Sequence, residues 1–536
     1  MSVQLVLIGL DGATFTVLDP LMAQGEMPHL KSLADGGVRA PLRSIVPPLT
    51  PPAWTSLLTG RRPGHHGIFD FFQLEAPGSR RIRLATSHDI RCETLAEMLN
   101  RHGLRATVLN FPAHFPPPAL DGYVIAGWMP WRQLRLGCHP SHLYDQLRVL
   151  PGFNPRELAM DMALEAKATE GCQEDEYAAW VELHIRREHQ WLAVVRHLMQ
   201  TDPTELIAVL LDGPDKVQHL CWRFLDPELW PAHPTLEEQK VRALCVEYFR
   251  QLDQVIGQIV EMAGPEATVI IASDHGFGAT TKVFHVNAWL EQAGYLTWSE
   301  EARLGNVGDG ILGMGHLSRH TEWLDWERTR AYAATPTSNG IHIVMADHNG
   351  SVGVQPEEYT RFRAELMEAL YSLVDPFTGE AVVYRIWTRE EAFPGVAVDL
   401  APDLTLTLQD GGLVSILPSA QVLKPRPKPV GTHRPLGIFL AKGPDIRRGV
   451  TLHELSILDV APLMLYCLGL GIPEELEGRV PLEIYELAFQ ARMPVRIESA
   501  ASRSSPSPSR EATVTVYDED AEEAMLARLK ALGYLE

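Results

Sequence analysis

The chain has 536 residues, with 47 basic and 68 acidic side chains and a net charge of −21 at pH 7. With 45% hydrophobic and 21% charged residues, it is a globular chain with a large core rather than a disordered one. The acidic balance argues against nucleic acid polymers or an anionic membrane surface as main partners, because either favours a basic surface. It leaves room for a small anion in a locally positive pocket.

Residues 3–10 form a short apolar run that leads directly into Asp11-Gly12, which reads as a buried strand rather than a leader peptide. Two further runs end the same way: residues 206–211 stop at Asp212, with Asp215 just beyond, and residues 268–272 stop at Ser273-Asp274-His275. Such β-rich runs read as buried parallel strands, and with helical patterns between them the class is α/β. Ligands of such sheets collect at the carboxyl ends of the strands. Residues 120–205 and 290–430 read as excursions from the sheet that form a cap, with residues 174–200 a solvated cap helix. Residues 491–512 are rich in Ser, Pro and Arg and read as a linker. Residues 513–536 read as an acidic, then amphipathic, helix suited to self-association or partner docking. No apolar run approaches the ~20 residues that span a bilayer. The six cysteines are scattered without a CxxC pair, which suits a reducing, cytoplasmic setting.

Five local motifs carry chemistry. Asp11, between a strand and Gly12, is placed to meet a metal or to cap the next helix. Thr50, before Pro51-Pro52, sits where an N-cap belongs, at the positive end of a helix. Asp215 and His219 share a helical face at a spacing of four, a pair that suits zinc, manganese or iron; Asp212 is a rival ligand. Asp274-His275 at a strand end is the strongest local signal, because a buried carboxylate there needs a neutralising partner. His433 lies in the loop Gly431-Thr432-His433-Arg434. His65 and His66 read as shaping the loop after the Thr50 helix, and the 305–315 Gly-rich loop lacks the ending of a P-loop.

Taken in order, these motifs resemble the alkaline phosphatase superfamily, nearest its type I phosphodiesterase/nucleotide pyrophosphatase branch, over about residues 3–490. They include Thr59-Gly60 and His66-Gly67 after Thr50. The Asn110-Phe111-Pro112 run, Asp274-His275-Gly276-Phe277-Gly278, Ala401-Pro402-Asp403-Leu404 and the C-terminal Leu-Gly-Tyr-Leu also resemble a prokaryotic group of phosphohydrolases or phosphomutases. The resemblance implies an alkaline-phosphatase-like domain over residues 1–490, a mostly parallel central sheet flanked by helices with inserted caps. It implies two divalent ions, zinc or else manganese. One would be held by Asp215, His219 and His433, the other by Asp11, Asp274 and His275, with Thr50 as nucleophile. The expected substrate is a small phosphate ester, hydrolysed through a phosphothreonine. A phosphomutase on the same site is the alternative, and a metal-stabilised binding module a more remote one.

The chain departs from the branch at Ala53, where an Asn three residues after the nucleophile would hold a phosphate oxygen. Pro51 and Pro52 also lack N–H groups. Asn110, Lys282 and Arg434 are the candidates for that role by position. The sulfatase relatives need Cys or Ser in a C/S-x-P-x-R motif, whereas this chain has Thr50 and Trp54. Three carboxylates with two divalent ions leave one net positive charge, so an acidic protein can still hold phosphate.

Overall fold

The computed structural model describes residues 2–76, 79–161, 165, 174–300, 320–346, 352–412 and 414–499. Cys172, the 305–315 loop and the 513–536 helix lie outside these residues. The apolar runs form the middle of a ten-stranded sheet. Its strands are β1 (Leu5–Leu10), β2 (Val38–Arg43), β3 (Ala106–Leu109), β4 (Gly122–Ile125), β5 (Cys138–His139), β6 (Leu206–Leu211), β7 (Thr268–Ala272), β8 (Leu436–Lys442), β9 (Val450–Thr451) and β10 (Leu455–Ser456). The order is β9-β2-β8-β7-β1-β6-β3-β4-β5, with β10 also on β2. From β7 to β4 the strands run parallel. Registers of Gly9 with Ala272 and Leu10 with Leu211 bring the carboxyl ends of β7, β1 and β6 level.

Every residue of β1 is buried, as expected of a strand covered on both faces. Leu5 and Leu7 enter one core with helix α1 (Thr50–Thr59), while Val6, Ile8 and Leu10 enter the other. That second core is completed by α2 (Glu174–Thr201), α3 (Gly213–Leu225) and α4 (Leu236–Ala263). Trp54 joins α1 to the sheet: its ring packs edge-on against Phe111 at 5.3 Å, and a Cβ on Gly9 would lie 2.7 Å from that ring.

The described residues of 120–205 do not leave the sheet as a cap. β4 and β5 extend it, and α2 is a core helix burying Trp180, Trp191 and Val195. Its mixed charges suggest a solvated helix, but two of them are buried and hydrogen-bonded inside the core. Arg187 donates to Glu165 and to the Ala159 carbonyl. Glu188 accepts from the Gly213 N–H and the Tyr248 hydroxyl; burial and nearby Asp212 push its carboxyl up to about 8.

The described residues of the 290–430 region build a second lobe, whose apolar core is shared with Phe71, Trp128 and Trp180. Its four-stranded sheet runs Ala331–Tyr332, Gly340–Ile343, Leu404–Leu408, Val383–Thr388, beside the helix Tyr359–Tyr371. Its last strand, Leu423–Arg434, pairs antiparallel with Gly276–His285 and returns to the main sheet. Within 491–512, Ile497–Glu498 pairs with Ile472–Pro473. Among the described residues, no helix is long and apolar enough to cross a membrane.

Replacing Trp54 by Ala should destabilise the fold by about 3–5 kcal/mol in denaturant unfolding, the cost of emptying a fully packed site. A loss below about 1 kcal/mol would show that α1 is held to the sheet by other contacts.

Candidate metal centre

Level strand ends deliver the site. Asp11 follows β1, Asp274 and His275 follow β7, and the turn after β6 opens α3, which carries Asp215 and His219. The strand Leu423–Arg434 brings His433 from a distance in sequence, with His433 opposite Phe277 in the antiparallel register. Thr50 opens α1. The cap of that helix is Leu49, in extended backbone, whose carbonyl accepts the Ala53 N–H. Thr50 therefore lies one position inside the helix rather than at its N-cap.

Two groups of ligand atoms result. Asp215 Oδ1, His219 Nε2 and His433 Nε2 lie 3.2–3.3 Å from one another. His275 Nε2 lies 3.2 Å from Asp274 Oδ2 and 3.6 Å from Asp11 Oδ1. A tetrahedral ion with bonds of ~2.0–2.1 Å separates its ligands by about 3.3 Å, so both groups fit such an ion. The groups adjoin: His275 and His433 stack at 3.5 Å, and the ligand atoms of Asp215, His275 and His433 lie within 4.8 Å of one another. Thr50 Oγ1 is buried 3.3 Å from His275 Nε2.

Each imidazole is oriented in the same way. Nδ1 of His219 faces the Gly431 carbonyl, Nδ1 of His275 that of Gly276, and Nδ1 of His433 that of Pro48, at 2.9–3.2 Å. Donating the Nδ1 proton to a carbonyl leaves the Nε2 lone pair for a metal or for the Thr50 hydroxyl.

The electrostatics point the same way. Asp11 and Asp274 lie against each other; both Asp11 oxygens and Asp274 Oδ2 are buried without a hydrogen-bond donor. Burial raises the Asp11 carboxyl well above its ordinary value, reinforced by Asp274 and Asp215. Burial raises Asp274 too, against the opposing Gly12 N–H. Burial also works to raise Asp215, but His219, His433 and Lys216 outweigh it and hold it well below. Burial lowers both His275 and His433. Neutral imidazoles beside buried carboxylates are a donor set that divalent cations complete.

The backbone is shaped for this closeness. Gly12 has φ +62°, and a Cβ there would meet the Phe277 ring at 2.7 Å. Gln218 donates to the Gly12 carbonyl and Gly12 N–H donates to Asp274, tying α3 and β7 to the end of β1.

All six ligand candidates and Thr50 come together. Asp212 does not compete with Asp215: its carboxylate pairs with Lys216 at 3.1 Å. The three candidates for holding phosphate are engaged elsewhere. Lys282 pairs with Asp375 in the second lobe. Arg434 donates to the carbonyls of Ala279, Asp410 and His433, and Asn110 to that of Leu210. His66 bonds Ser56 Oγ and accepts the Ile68 N–H, and His65 pairs with Glu477, so neither joins the ligand groups. Sequence reasoning missed Phe277, whose ring borders His219, His275 and His433; an aromatic two residues after Asp-His was the available signal. Beside Thr50, an apolar recess is walled by Pro51, Phe71, Leu84, Pro112 and Trp128.

A family model described as type I phosphodiesterase/nucleotide pyrophosphatase matches residues 5–434. No curated protein sequence matches the chain. Among solved structures, an inactive variant of murine ectonucleotide pyrophosphatase/phosphodiesterase 5 in complex with AMP is similar at 14% identity and TM-score 0.49, covering 88% of this chain and 96% of that one. The human protein of that name is similar at 14% identity and TM-score 0.48, covering 87% and 95%.

Asp11→Asn should stabilise the metal-free protein at pH 7 and destabilise the zinc-loaded protein, each by about 1–3 kcal/mol. The sign follows from the raised Asp11 pKa: as pH rises above the ordinary carboxyl value the unfolded chain releases this proton before the folded one does, which costs the folded state stability that an amide does not lose. Thermal unfolding with and without zinc checks this, and a shift of the same sign in both states would contradict the metal assignment.

Proposed function

The chain belongs to the type I phosphodiesterase/nucleotide pyrophosphatase family, and from that premise we propose that it hydrolyses a small phosphate ester with Thr50 as nucleophile. Two divalent ions complete the site, one held by Asp215, His219 and His433 and one by Asp11, Asp274 and His275. Zinc suits this oxygen–nitrogen donor set, and manganese is the other candidate. Bound ions would cancel the carboxylate charge and supply the Lewis acidity that favours an alkoxide and a developing phosphoryl charge.

The observation that carries this reading is the position of Thr50 Oγ1, 3.3 Å from His275 Nε2, at the start of α1. The hydroxyl gives up its proton to solvent and attacks phosphorus. The Oγ1–P bond forms as the bond from phosphorus to the ester oxygen breaks, and the departing alcohol takes a proton from solvent. Water then attacks phosphorus, the Oγ1–P bond breaks, one proton of that water returns to Thr50 Oγ1 and its hydroxyl leaves on the released phosphate. The helix end aids the negatively charged phosphoryl group through its dipole, although Pro51 and Pro52 supply no N–H. Ala53 supplies no side-chain donor. This favours an ester whose recognition rests on metal contacts and on the apolar recess beside Pro51, rather than on a dense phosphate cradle. Buried thiols at Cys138 and Cys245 suit a reducing, cytoplasmic compartment.

The test is turnover of a monoester and a diester carrying the same chromophore. Thr50→Ala should lose several orders of magnitude in kcat while keeping two ions per chain by elemental analysis. Undiminished turnover in that variant would remove Thr50 as nucleophile.

A further inference from the structure

Lys216 directly follows the ligand Asp215, and its side chain is completely buried. Its ammonium lies 3.1 Å from Asp212 Oδ2, 3.9 Å from Asp215 Oδ2 and 4.5 Å above the Trp128 ring. Buried charges are retained only where partners compensate them, and here one of the partners, Asp215, is itself a ligand candidate of the metal centre. The two oxygens of Asp215 are thereby made unequal. Oδ1 faces His219 and His433, whereas Oδ2 faces the ammonium.

The Trp128 wall is itself held in place. It has φ +58°, a left-handed conformation that a bulky residue rarely adopts. Asn110 and Ala113 beside it share that conformation, at +69° and +55°. Backbone strain that persists in one place marks a position fixed by its surroundings. One side of the Trp128 ring system carries Lys216, and the residue also walls the recess beside Pro51.

Resting on the two-ion reading above, we propose that Lys216 is a positioning residue: it holds Asp215 Oδ2 off the ion so that Asp215 ligates through Oδ1 alone. A site with three single-atom ligands keeps a coordination position open for substrate. Without the ammonium, Oδ2 swings in and fills that position. Asp212 and Trp128 fix the ammonium through the ion pair and the cation–π contact.

The test compares wild type with Asp212→Asn/Lys216→Met, which removes both charges of the pair together and so avoids stranding one. Trp128→Phe, which weakens the cation–π contact and leaves the ion pair, is the second variant. Cobalt(II) replaces the native metal. Four-coordinate cobalt absorbs visible light strongly and five-coordinate cobalt weakly. Wild type should take up two ions with strong absorption. The double variant should keep both ions, absorb more weakly, and show KM raised about tenfold, the value of one charge-assisted contact, with a smaller change in kcat. Trp128→Phe should move both readouts the same way by less. An unchanged spectrum and KM in the double variant would overturn the proposal. So would loss of cobalt together with thermal stability, which would mean that Lys216 only supports the fold. Failure of wild type to bind cobalt would instead defeat the two-ion reading itself.

Discussion

Three carboxylates, Asp11, Asp215 and Asp274, are buried within one cluster at the carboxyl edge of a parallel sheet, and the rest of the site depends on their neutralisation. Among the described residues the ammonium beside them is that of Lys216, and Asp212 already pairs with it. Burial pushes His275 and His433 towards the neutral form, which works against these two imidazoles offsetting the carboxylates as cations. Each ring gives its Nδ1 proton to a backbone carbonyl, which makes the Nε2 atoms lone-pair donors. What remains is a set of oxygen and nitrogen donors spaced as the ligands of a divalent ion are spaced. A net acidic chain can then attract phosphate locally.

Much of this is legible in the sequence, because strand-end chemistry is local. An apolar run that stops at Asp gives both the strand and the direction of its side chain, and residues 5–10, 206–211 and 268–272 obey that rule. The i,i+4 spacing of Asp215 and His219 likewise survives folding intact. His433 was legible only through the resemblance, since a strand pairing more than 140 residues from its partner carries no local signal. The lobe that delivers it grows between Gly276–His285 and Leu423–Arg434, and only the folded register places His433 opposite Phe277.

Where the sequence misled, buried polar groups were the cause. The charges along 174–200 suggested a solvated cap helix, yet Arg187 and Glu188 lie inside the core, hydrogen-bonded to Glu165, Tyr248 and the backbone. The short strands 122–125 and 138–139 lacked the long apolar runs of the central strands, so the sheet edge they form looked like an excursion. Lys282 and Arg434 looked free to hold phosphate because a sequence does not show the carbonyls and the Asp375 carboxylate that occupy them.

The central claim is that the clustered carboxylates and imidazoles are two metal sites rather than one polar core. Anomalous diffraction from crystals grown with zinc tests it most directly. Two peaks are expected, one between Asp215, His219 and His433 and one between Asp11, Asp274 and His275, both at full occupancy. A single peak, or none, with these side chains in the same positions would contradict it.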